Sequence, residues 1–112
     1  MDSFARESLL YDFYGTLLTD KKRQVMELYH EDDMSLAEIA AEMGISRAAV
    51  FDSLKSAKTQ LEKYEDKLGL LSKYEKSALL GDRADAIISK SSIDKKDADK
   101  LRSIIEELTS AV

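Results

Sequence analysis

The sequence predicts an all-α protein organised on a helix-turn-helix, with a long heptad-patterned helix and a C-terminal helical hairpin. Three observations carry that prediction. The chain of 112 residues holds no proline and four glycines, so little interrupts helix propagation. Apolar residues recur at spacings of three and four along most of its length. In the stretch from Ser35 to Val50, two capping serines flank a glycine turn, as two short-linked helices require.

Taken in order, Leu9, Leu10, Phe13, Tyr14, Leu17 and Leu18 line one face of a first helix. Thr19 is placed to cap a second helix, with Asp20 in its first turn complementing the helix dipole. That helix carries Val25, Met26, Leu28 and Tyr29 and ends in the polar loop Glu31-Asp32-Asp33. Ser35 and Glu38 have capping-box spacing for the third helix. Gly44 supplies its left-handed stop, and Ser46 caps the fourth helix.

From Val50 the apolar positions Leu54, Ala57, Leu61, Tyr64, Leu68 and Leu71 alternate by four and three, a coiled-coil seam. Two uses of this seam stand open at the sequence level. One lays a single long helix on the chain's own N-terminal helix; the other joins two copies into a homodimer through Leu54, Ala57, Leu61, Tyr64, Leu68 and Leu71. Gly69 and Ser72 mark a break. Beyond it, Tyr74, Leu79, Leu80, Ala84, Ile87 and Ile88 define another amphipathic helix, interrupted at Gly81. Residues 89 to 92 read as a loop, and a last helix from Asp94 turns Leu101, Ile104, Ile105 and Leu108 inward. The expected division is residues 1 to 72 as the helix-turn-helix domain and 73 to 112 as a helical extension, packed on the same core or on a dimer mate.

Composition excludes several functional classes. Without cysteine there is no disulfide, thiolate metal site or thiol nucleophile, and one histidine leaves zinc short of ligands. No glycine-rich phosphate loop occurs, and Asp32-Asp33 lacks the rest of a calcium loop. The acidic pairs sit in loops or solvated helix positions. The expectation is therefore a binding protein and not an enzyme, requiring no cofactor. His30, at the end of the second helix, reads as a dipole-complementing terminal residue. Tyr11, Tyr14, Tyr29, Phe13 and Phe51 read as core and interface area. No apolar run approaches the roughly 20 residues of a membrane span, and the first residues, with Asp2, Arg6 and Glu7, do not spell a signal peptide. A cytoplasmic location is expected, with no membrane insertion.

The motif points to nucleic acid, and the charge opposes it. The candidate contact residues are Ser35, Ser46, Arg47, Ala48, Ala49, Asp52, Lys55 and Lys58, where Arg47 could read guanine or phosphate and the helix start at Ser46 could hold a phosphate. Yet 17 basic residues stand against 22 acidic ones, a net charge of −5. Phosphate contacts dominate nucleic-acid affinity, so a monomer with this balance is expected to bind duplex DNA weakly. Two copies could recover affinity by effective concentration.

Residues Thr19 to Leu61 resemble region four of bacterial sigma factors. A wider set is similar to the YlxM-type proteins of Gram-positive bacteria: Tyr11-Asp12-Phe13-Tyr14, Leu17-Leu18-Thr19, Asp32-Asp33, Ser35-Leu36-Ala37-Glu38-Ile39-Ala40, Ser46-Arg47-Ala48-Ala49-Val50-Phe51-Asp52 and Leu61-Glu62-Lys63-Tyr64-Glu65. Genes of that family neighbour those of the signal recognition particle GTPases. The resemblance implies a regulatory or accessory factor of the signal recognition particle pathway, with the particle's protein or RNA as partner. A DNA-binding transcriptional regulator is the alternative.

Overall fold

A computed structural model describes residues 2–110. Six α-helices are present among them: α1 (Ser3–Tyr14), α2 (Asp20–His30), α3 (Leu36–Met43), α4 (Arg47–Leu68), α5 (Leu70–Lys90) and α6 (Lys95–Ser110), with a 3₁₀ turn at Gly15–Leu17. They form two compact units, the first ending at Gly69 and the second starting at Leu70.

In the first unit, α1, α2 and α3 all pack on α4. The four-and-three stripe on α4 explains why. Val50, Leu54, Ala57 and Leu61 are all buried, and they meet Leu10 and Tyr14 of α1, Leu18, Val25 and Met26 of α2 and its approach, and Ile39 and Ala40 of α3 in one core. Each large apolar chain so buried contributes about 1.5–3 kcal/mol relative to exposure. Four of the six proposed dimer-seam residues, Leu54, Ala57, Leu61 and Leu71, are thus buried within the chain. Tyr64 is half-buried, with its ring 5.9 Å from that of Tyr14 and its hydroxyl donating to the Leu17 carbonyl at 3.4 Å. Gly69, at φ +65°, ends α4 in a left-handed cap. Leu68 is 51% exposed at that end, and Leu71 falls on the next helix, so the seam is not one continuous stripe.

The expected Thr19 cap is formed, its hydroxyl accepting from Lys22 N–H at 3.4 Å. Helix α1 has a cap not among those expected, Asp2, which accepts from the Ala5 N–H at 2.8 Å. Leu17 departs from its expected inward position because the chain tightens into the 3₁₀ turn after Tyr14. Leu18 is buried as expected, and Leu17 is 52% exposed.

Polar contacts fasten α1 to its neighbours. Arg6 donates twice to Glu62, at 2.8 and 3.0 Å, and holds that carboxyl below its ordinary pKa. The buried hydroxyl of Tyr14 donates to Glu65 at 2.7 Å, satisfying a carboxylate that water barely reaches. Tyr11 donates to Glu27 at 2.5 Å, and burial with that bond pushes its pKa up to about 12.

His30 is no exposed terminal residue. Its side chain is 1% exposed, its ring centroid lies 4.3 Å from that of Phe4, and Nε2 is 3.4 Å from a Glu7 oxygen. Phe4 and α1 cover it, which helical spacing along α2 alone could not indicate.

The second unit is an antiparallel pair, α5 against α6. Helix α5 runs unbroken through Gly81, where an added Cβ would lie 3.2 Å from Thr109 Cγ2, so the missing side chain lets the helices approach. The inward assignment of the α6 residues fails in part. Ala98 is buried and Ile105 half-buried, but Leu101, Ile104 and Leu108 are 43%, 53% and 68% exposed. Two helices alone cannot enclose a stripe from both sides.

Burial lowers the pKa of His30; Glu7 resists that shift and Lys58 adds to it. In the unfolded chain the imidazole takes its proton near pH 6.5, and in the folded chain only at lower pH. The unfolded state therefore binds more protons just below that pH, and stability is lost as pH falls through this window. Melting temperature measured from about pH 7.5 down to 5.5 should decline, and His30→Phe should flatten the decline. An unchanged slope in the variant would contradict the assignment.

Candidate recognition interface

The helix-turn-helix consists of α3, the turn at Gly44 and the start of α4. Ser35 accepts from the Glu38 N–H at 3.1 Å while Glu38 accepts from the Ser35 N–H at 3.0 Å, completing the capping box. Those bonds hold the Glu38 carboxyl below its usual pKa. Gly44 adopts φ +67°, a conformation that costs a side-chain-bearing residue energy, and the Ile45 N–H reaches back to the Ala40 carbonyl at 3.1 Å. Ser46 then accepts from the Ala49 N–H at 3.0 Å and starts α4. Buried Ile39, Ala40 and Val50 clamp the two helices together.

This frame sorts the candidate residues. Ser46, Arg47, Ala48, Asp52 and Lys55 are exposed on the first turns of α4, in the arrangement a reading helix needs. Ser35 is exposed too, at the start of α3, although its oxygen already serves as the cap. Ala49 is only half-exposed. Lys58 turns away from the others, with its ammonium 3.3 Å from Glu7 and 5.4 Å from the Tyr29 ring centroid. It braces α1 and α2 against α4.

The same sorting sets the local charge. Since Glu62 is paired with Arg6 and Lys58 with Glu7, the open face of α4 over residues 46 to 63 retains Arg47, Lys55 and Lys63 against Asp52. Three cations face one carboxylate there, on a unit whose first 69 residues hold nine basic and fourteen acidic side chains. Asp52, Lys55, Ser56, Thr59, Gln60 and Lys63 line a shallow polar furrow along this face.

Phe51, expected among the core and interface aromatics but not among the contact residues, is 54% exposed on the first turns of α4 and so lies outside the core. With Tyr29, Leu36, Leu54, Lys55 and Lys58 it lines a groove of about 300 Å³ between α2, α3 and α4. The signal was available: Phe51 stands one residue, or about 100°, off the buried stripe that begins at Val50. No group of three or more His, Cys, Asp or Glu residues is placed to hold a metal among the described residues, nor is any helix there long and apolar enough to cross a membrane.

Residues 1–104 match the family described as "Putative helix-turn-helix protein, YlxM / p13 like". Similar curated proteins include a UPF0122 protein of Halalkalibacterium halodurans, 51% identical over 68% of this chain and 70% of its own length. Another, from Caldanaerobacter subterraneus, is 53% identical over 66% of this chain. That match spans 63% of the relative, under two thirds of its length. A UPF0122 protein of Geobacillus kaustophilus is 46% identical over 80% of this chain and 82% of its own.

Ser46→Ala removes the oxygen that starts α4. It should lower unfolding free energy by about 1 kcal/mol, measured by urea denaturation, while Ser46→Asp should restore most of that loss. Equal stability of Ser46→Ala and the parent would show that the cap bond contributes nothing.

Proposed function

We propose that this chain, which belongs to the YlxM / p13-like helix-turn-helix family, is a regulatory or accessory factor of the signal recognition particle pathway that acts by binding. It catalyses no reaction and works in the cytoplasm. The link to the particle comes from the family resemblance carried by the motifs from Tyr11 to Glu65. Exposed Phe51 carries the docking mode.

A side chain that reads duplex DNA offers hydrogen bonds to base edges or charge to phosphates. The first turns of α4 offer instead a half-exposed aromatic ring over an apolar groove floored by Leu36 and Leu54, edged by Lys55 and Lys58. An aromatic anchor in an apolar setting with a cationic edge fits a protein surface. The net charge of −5 adds long-range repulsion from polyanions. The preferred partner is accordingly a protein component of the particle, engaged through the α3–α4 face.

One observation favours a second reading, a DNA-binding regulator. Arg47, Lys55 and Lys63 outnumber Asp52 on the open face of α4, beside a capped helix N-terminus. In that reading Arg47 would contact a base or phosphate, and Ser46 with Ala48 would approach the backbone.

The two readings separate on two variants. Purified chain is titrated with the particle's GTPases, its RNA and random duplex DNA, at low and physiological salt. Under the preferred reading a GTPase binds, Phe51→Ser weakens it at least tenfold, and Arg47→Ala changes it little. DNA binding that survives physiological salt and falls by about 1–3 kcal/mol in Arg47→Ala, with Phe51→Ser neutral, would replace it with the DNA reading.

A further inference from the structure

The α5–α6 hairpin has two unlike edges. Along one, Arg102 donates to Asp85 at 2.6 Å and to Ser89 at 3.0 Å, and Asp82 and Glu106 line the same side. Along the other, Leu80, Ala84 and Leu108 line an apolar groove of about 260 Å³. Helical spacing continues this edge through Ile87 on α5 and through Leu101 and Ile104 on α6. Leu80 is 46%, Ile87 68%, Leu101 43%, Ile104 53% and Leu108 68% exposed. With half-buried Ala84, these five residues make an apolar strip with no charge between them.

We propose that this strip is a self-association surface whose occupant is the same strip of a second copy, giving a four-helix bundle. Charge argues for that occupant. The 17 basic and 22 acidic residues divide so that residues 70 to 112 hold eight of each, while the first 69 carry the whole net charge of −5. Two hairpins therefore meet without net repulsion, which no other large part of the chain offers.

The edges of the strip add opposite-charge pairings. On α5 the flank of the strip carries Lys76, Arg83 and Lys90; on α6 the flank carries Lys96, Lys100 and Glu107, and Asp97 closes the strip in line with Leu101 and Ile104. A two-fold axis along the hairpin lays α5 of one copy antiparallel on α6 of the other. Lys90 then lies level with Asp97 of the other copy, and Arg83 within about one turn of its Glu107. An isologous contact of this kind closes on itself, so it makes a dimer and no fibre. The strip is about 24 Å long, from 16 residues of α6, and roughly 20 Å across two helix diameters. That gives roughly 500 Å² in plan, more with side-chain relief, against about 600–1,000 Å² per partner in stable interfaces.

Sedimentation equilibrium of the full chain at about 5–200 µM tests the proposal. The parent should be dimeric in that range. Ile104→Lys changes an already exposed position, so the chain keeps its helix content by circular dichroism, and its dissociation constant should rise at least thirtyfold. Ala86→Lys, on the far side of α5, should leave association unchanged. A monomeric parent throughout, including one that binds only some other protein's apolar helix, would overturn the proposal. So would a dimer that survives Ile104→Lys.

Discussion

One constraint organises the first unit: the apolar stripe Val50, Leu54, Ala57 and Leu61 on α4 must be covered, and one helix cannot cover it. A 22-residue helix is about 33 Å long. Its stripe meets α3 near the start and α1 and α2 beyond, so each shorter helix is held mainly by its debt to α4. The helix-turn-helix inherits its rigidity from this arrangement. Its second helix is at once the reading helix and the keel of the core, and the Gly44 turn needs only to set the angle between them.

Charge pairing decides which face of α4 stays open. Glu62 goes to Arg6 and Lys58 to Glu7, both across to α1. What remains on the outer face is a small cationic field on an acidic unit, together with an aromatic ring. That combination distinguishes this module from a simple phosphate-tracking one, whose affinity would rest on many cations. It also gives α1 a part in setting the charge of that open face, because α1 withdraws one cation and one carboxylate from it.

The two units differ in how completely they solve the burial problem. The first encloses a stripe with three helices and leaves Phe51, Leu17 and Leu68 as its large exposed apolar residues beside Phe4. The second has two helices and leaves most of its leucines and isoleucines at the surface. Its ion-paired edge is finished, with Arg102 held by Asp85 and Ser89. Its apolar edge still has free energy to gain from a contact.

Much of the fold was legible in the residues because local chemistry dictates it. Thr19, Ser35 and Ser46 start helices by accepting backbone N–H bonds, Gly44 and Gly69 end them at positive φ, and the four-and-three stripe from Val50 to Leu61 names the buried face. Those determinants act within a few residues of each other. What lay beyond them depended on residues far apart in the chain. Whether the stripe met α1 or another copy, whether His30 faced water or Phe4, and whether Lys58 joined the reading face or Glu7 turned on contacts across 23 to 51 positions. Phe51 lies between the two: its place one residue off the stripe already turned it from the core, and the packing of α2 and α3 decided which groove it borders. The sequence by itself determined where helices begin, stop and turn an apolar face; the tertiary structure decided which charges cancel, and hence which side of α4 is left open.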